Sequence, residues 1–168
     1  MYYTRMLITL PKGAKDISVT VSDGASAVSG ATVTVGTDSQ TTDSNGKASF
    51  EDVTEGSQTI TVTKTGFQDY SSTISVGSST SFSVTLTAVG TLTLTVTDSE
   101  DEPSPIEGAS VVIGTTTKTT DATGKVEFPN LTYEDKSATI TADGYTEKTE
   151  TLAFRSNHKS FTVALTAS

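Results

Sequence analysis

Apolar and polar residues alternate along most of the chain with a period of two. Leu92, Leu94 and Val96 are interleaved with Thr91, Thr93, Thr95 and Thr97, and Ile60 and Val62 with Thr59, Thr61 and Thr63. Successive side chains of a pleated strand point to opposite faces, so each run places its aliphatic residues on one side and its hydroxyls on the other. Threonine suits the outer side, because its β-branch favours an extended backbone and its hydroxyl is at ease in water. No segment sustains the 3,4 spacing of an amphipathic helix. Turn signals recur every ~8–12 residues: Asp23-Gly24, Ser29-Gly30, Asn45-Gly46, Glu55-Gly56 and Val76-Gly77, then Gly108, Gly114, Gly124 and Asp143-Gly144. Short strands separated by regular turns predict an all-β chain of antiparallel β-sandwiches with about seven strands each.

The pattern is duplicated. Ser29–Gly36 (Ser-Gly-Ala-Thr-Val-Thr-Val-Gly) recurs as Glu107–Gly114 (Glu-Gly-Ala-Ser-Val-Val-Ile-Gly), 78 residues later. The same offset carries Thr41-Thr42-Asp43 on to Thr119-Thr120-Asp121, Gly46-Lys47 on to Gly124-Lys125, Phe50 on to Phe128, and Gly66-Phe67 on to Gly144-Tyr145. Before this block the offset is 75 (Val21 and Val96), and after it 79 (Phe82 and Phe161). Register changes confined to two places are loop insertions, which cost little. The expected organisation is an N-terminal arm at 1–16, a first sandwich at 17–89 and a second at 90–168. Two copies, each long enough for its own core, make a tandem of domains rather than a solenoid.

These residues resemble the carboxypeptidase regulatory-like domain, a transthyretin-like, Ig-like sandwich related to the B-type repeats of collagen adhesins. The second copy carries the pattern in order: Val96-Thr97-Asp98, Pro105-Ile106-Glu107-Gly108-Ala109-Ser110-Val111, Thr120-Asp121-Ala122-Thr123-Gly124-Lys125-Val126-Glu127-Phe128, Leu131 and Gly144-Tyr145. The first is looser, with Ala27-Val28 in place of Pro-Ile. The resemblance implies a fold and says little of function, because its positions are turn glycines and core residues. It also implies that modules of this kind stand on phage virions and bacterial surfaces. Collagen-adhesin relatives often carry a Lys–Asn isopeptide between first and last strands; here Ser22 and Thr97 follow the first-strand valines, and 82–88 and 161–167 hold no Asn.

Composition narrows the chemistry. With no Cys and a single His among 168 residues, a disulfide scaffold, a thiolate metal site and a Cys nucleophile are excluded, and little acid–base chemistry is left. A net charge of −9 argues against binding nucleic acid or an anionic membrane, both of which need a basic field. Thr-Asp-x-x-Gly ahead of an aromatic strand predicts a hairpin in which Asp43 or Asp121 bonds the backbone two residues on and Gly46 or Gly124 takes a positive φ. Asp43-Ser44-Asn45-Gly46 also opens like a calcium loop, but Thr54 holds the place of the bidentate Glu. The acidic run Asp98-Ser99-Glu100-Asp101-Glu102 reads as a solvated loop, and His158 as an exposed loop residue with no second ligand. No Ser lies in a nucleophile elbow, and Asn130-Leu131-Thr132 fits a glycosylation sequon. No catalytic residue, metal or cofactor is expected. The 35 Thr and 22 Ser read as strand surface.

The arm is the remaining candidate. Tyr2, Tyr3, Met6, Leu7, Ile8 and Leu10 form an apolar cluster before Pro11-Lys12-Gly13, too short for the ~7–15-residue core of a secretory signal. It either packs on the first sandwich or docks the protein on a larger assembly by strand addition or burial of its aromatics. The leading expectation is a non-enzymatic virion-surface protein made in a host cytoplasm, its partners capsid or tail proteins. The alternative is a bacterial cell-surface adhesin or glycan-binding module.

Overall fold

The structure, a computed structural model, describes residues 13–168. The chain divides between Thr87 and Ala88 into two compact units, each an all-β sandwich of seven strands. The first holds β1 (Ala14–Ser22), β2 (Thr32–Val35), β3 (Asp38–Thr41), β4 (Lys47–Thr54), β5 (Gly56–Thr63), β6 (Tyr70–Val76) and β7 (Ser81–Thr85). Its sheets are ordered β4-β1-β7 and β3-β2-β5-β6. The second holds β8 (Val89–Asp98), β9 (Ser110–Ile113), β10 (Thr116–Thr119), β11 (Lys125–Thr132), β12 (Asp135–Thr141), β13 (Lys148–Ala153) and β14 (Ser160–Leu165), in sheets β11-β8-β14 and β10-β9-β12-β13. Order and register are the same in both units, as the duplicated pattern requires.

Alternation sets the inward faces. Val19, Val21, Val33, Ile60 and Val62 are fully buried in the first unit, around Phe50; Leu92, Leu94, Val96, Ile140, Leu165 and Phe154 are fully buried in the second, around Phe128. Burial of each such side chain stabilises by about 1.5–3 kcal/mol against leaving it in water. Phe67 and Tyr145 are only partly buried and pack against the two cores.

Two features differ from the sequence expectation. The sandwiches are antiparallel except at one pair in each: β7 runs parallel to β1 (Val19 beside Phe82, Val21 beside Val84), and β14 parallel to β8 (Leu94 beside Phe161, Val96 beside Val163). First and last strands are joined through the opposite sheet rather than by a hairpin, so no tight turn forces them to be antiparallel. The first strand also takes in residues 14–16, which the sequence pattern places ahead of the sandwich. β1 begins at Ala14, paired with Thr54, and the Glu55 amide donates to the Gly13 carbonyl at 2.8 Å. Residues 14–16 are exposed and lack the apolar alternation; backbone pairing with β4, the Lys15–Glu55 ion pair (3.6 Å) and the Asp52 amide donated to Asp16 Oδ1 (3.1 Å) hold them in the strand. Tyr2, Tyr3, Met6, Leu7, Ile8 and Leu10 lie outside the described residues.

Each β1-type strand faces a bulge. Between Phe50 and Val53, and between Phe128 and Leu131, the register slips, and Asp52 (φ 52°) and Asn130 (φ 59°) take the left-handed conformation there.

Candidate functional site

The Thr-Asp-x-x-Gly segments are the most densely bonded loops of both sandwiches. Asp43 Oδ1 accepts the amides of Asn45 (2.8 Å) and Lys47 (2.9 Å); Asp121 Oδ1 accepts the amides of Thr123 (2.8 Å) and Lys125 (3.0 Å) and the Thr123 hydroxyl (2.7 Å). The Lys47 and Asn45 amides hold the Asp43 carboxyl below its ordinary value, and the Thr123 hydroxyl with the Lys125 and Thr123 amides does so for Asp121. Gly46 and Gly124 turn the chain at φ 72° and 71°, and a Cβ on either would strike the carbonyl oxygen of Val21 or Val96. These carboxylates close hairpins, with Oδ1 committed to backbone donors, which is the turn reading of the motif. Among the described residues no three His, Cys, Asp or Glu side chains converge as a metal would need.

The threonine ahead of each Asp escaped the sequence reading. Thr42 and Thr120 are buried, unlike the strand-surface hydroxyls around them. The Thr42 hydroxyl accepts the Ala31 amide (2.8 Å) and donates to the Val28 carbonyl (2.7 Å); Thr120 does the same with Ala109 (2.9 Å) and Ile106 (2.6 Å). Each ties the loop before β2 or β9 to the motif turn. The recurrence of Thr-Asp at both copies was the available signal.

The other candidates lie apart. Asp98 Oδ1 accepts the Ser104 amide at 2.9 Å, folding the acidic loop back on itself. His158 pairs through its backbone with Arg155, and its ring lies 4.5 Å from that of Phe161. Asn130 of the sequon is exposed on its bulge. Tyr133 lies across Gly90, 5.0 Å from the Phe154 ring and beneath the Lys159 ammonium at 5.4 Å. No Phe or Tyr among the described residues stands fully exposed; Phe67, Tyr70, Phe82, Tyr133, Tyr145 and Phe161 are half-buried.

Among the described residues, open grooves lie on both sandwiches. The first, about 460 Å³, runs along the seam between β3 and β4 and is lined by Asp38, Ser39, Gln40, Ser49, Phe50 and Glu51. The second, about 430 Å³, lies between the loop before β9 and the end of β12, and its lining includes Glu107, Gly108, Ala142 and Asp143. Each carries two carboxylates.

Residues 16–87 match the family described as the carboxypeptidase regulatory-like domain. No curated protein matches the chain in sequence. Among solved structures, the Bacillus anthracis TIE protein is similar at 17% identity and a TM-score of 0.44, over 92% of this chain and 34% of that one. A streptococcal ancillary pilin is similar at 11% identity and a TM-score of 0.45 over 96% and 63%, and the shaft pilin SpaA from Lactobacillus rhamnosus GG at 13% and 0.43 over 92% and 98%. The chain thus spans about a third of the first protein and under two thirds of the second.

Proposed function

With its first sandwich a carboxypeptidase regulatory-like domain and its second a repeat of the same motif and topology, we propose that this chain is a non-enzymatic structural and interaction protein displayed on a bacterial cell surface. The observation that carries this reading is the fate of the motif residues: in both copies Thr, Asp and Gly bond the chain to itself. What faces outward among the described residues is a hydroxylated, acidic surface with open grooves on both sandwiches. Such a surface suits protein contacts and solubility.

Between the two settings, the virion reading leans on docking by Tyr2, Tyr3, Met6, Leu7, Ile8 and Leu10, which lie outside the described residues, whereas the cell-surface reading asks only for exposed, acidic modules. Docking through those residues is part of the proposal in either setting. The test is antibody labelling of intact producing cells before and after protease shaving, beside particles purified from the culture medium. Labelling of cells that shaving removes supports the reading. Labelling confined to particles moves the protein to a virion, and antigen found only after lysis overturns both. Removal of residues 1–12 should abolish attachment and leave both sandwiches folded.

A further inference from the structure

The duplication lets each sandwich show what the groove of the other is shaped to hold. In the second, the seam between β10 and β11 is bridged by Lys118, whose ammonium donates to the Glu127 carbonyl at 2.8 Å and lies 5.7 Å from the centroid of the Phe128 ring. Those three residues stand 78 positions after Gln40, Ser49 and Phe50, all of which line the first groove. Where the second sandwich places a lysine, the first places an uncharged, exposed Gln40, and the seam is open.

The reverse holds at the other groove. In the first sandwich the Lys64 ammonium donates to the Gly30 carbonyl at 3.1 Å, so close that a Cβ on Gly30 would meet it at 2.8 Å. The equivalents 78 positions on are Ala142 and Gly108. Nothing stands within 4 Å of the Cβ position of Gly108, and the vacated space is the groove that Gly108 and Ala142 line.

Two seams are therefore each closed by a lysine in one copy and open in the other. We propose that the open grooves accept lysine side chains from a basic polypeptide partner, the ammonium taking the place held by Lys118 or Lys64 in the filled copy. This deepens the reading of the sandwiches as interaction units and does not depend on their setting. The template in both filled seams is a primary ammonium on a flexible stem, a compact charge that reaches a single carbonyl, rather than a forked guanidinium. Asp38 and Glu51 in the lining of one groove, and Glu107 and Asp143 in that of the other, supply complementary charge. The net charge of −9 favours a basic partner over a second copy of the chain.

The test is a nitrogen-15 NMR titration of the full chain with a hexapeptide of alternating Thr and Lys, beside the same peptide acetylated at every Nε. The lysine peptide should shift the amides of 38–40, 49–51, 107–108 and 142–143, and acetylation should weaken binding by about tenfold or more, the loss of a charge-assisted contact. Gln40→Lys with Ala142→Lys fills both grooves from within and should erase the shifts. If that variant folds poorly, Asp38→Asn with Glu51→Gln and Glu107→Gln with Asp143→Asn should weaken binding with the seams left open. Shifts of equal size with the acetylated peptide, shifts that persist in the filled chain, or none at these residues overturn the proposal. So does concentration-dependent shifting without peptide, which makes a second copy the occupant. None of these outcomes bears on where the protein is displayed.

Discussion

One buried threonine in each sandwich anchors the motif loop. Thr42 and Thr120 each satisfy one amide and one carbonyl inside the protein, and replacing the hydroxyl by a methyl leaves both buried and unpaired. An unsatisfied buried polar group costs about 1–3 kcal/mol. Thr120→Val, close in shape to the native residue, should therefore lower stability by ~2 kcal/mol or more in urea unfolding, whereas Thr119→Val, on the exposed strand one residue earlier, should change it by under ~0.5 kcal/mol. The carboxylates make a pH prediction. Asp23, Asp43, Asp121 and Glu134 all titrate below their ordinary values, held there by donors from Ser26, Lys47, Thr123 and Lys136 respectively. A depressed folded-state value means stability that is present above the unfolded carboxylate range and lost as pH falls through the folded values. The melting temperature should be flat on this account above pH ~5 and fall below the ordinary values of 4.5 for Glu134 and 3.8 for the aspartates. Asp121→Asn should flatten that fall. The turn was legible because Asp, Gly and their spacing are distinctive; the buried threonine was not, because among 57 hydroxyl residues nothing in its own chemistry sets it apart.

The strands themselves were legible wherever burial is one-sided, as at Leu92, Leu94 and Val96, because the pleat converts a buried face into alternation. β3 and β10 have no such face. Asp38–Thr41 and Thr116–Thr119 are exposed throughout, and they are strands only because a two-residue turn brings them back beside β2 and β9. Pairing partners were also hidden, since the alternation of Phe82 and Val84 tells which face of β7 is buried and not that β7 runs parallel to β1. The bulges were hidden for another reason: an extra residue in β4 or β11 is a property of the pair, and only Asp52 and Asn130 record it in their backbone. A β-branched residue is strained in the left-handed region by roughly 1–2 kcal/mol, and Gly is not. Asn130→Gly should thus leave urea stability unchanged or raise it slightly, while Asn130→Val should lower it by ~1 kcal/mol or more. Equal effects of the two substitutions would show that the bulge does not depend on that conformation.

The chain as a whole carries the same sandwich twice with two separate cores. The residues packed around Phe50 and those packed around Phe128 and Phe154 have no member in common. Cooperative unfolding follows contiguous packed cores, so each sandwich should unfold as its own unit. Gly124 is the place to test this in the intact chain. Any larger side chain there meets the Val96 carbonyl and an unfavourable φ together, and neither can be relieved without breaking the turn that Asp121 closes. Gly124→Val should therefore unfold residues 88–168 while the amide spectrum of residues 13–87 keeps its native dispersion, and Gly46→Val should do the converse. Loss of both spectra with either substitution would mean that the folding of one sandwich depends on the other.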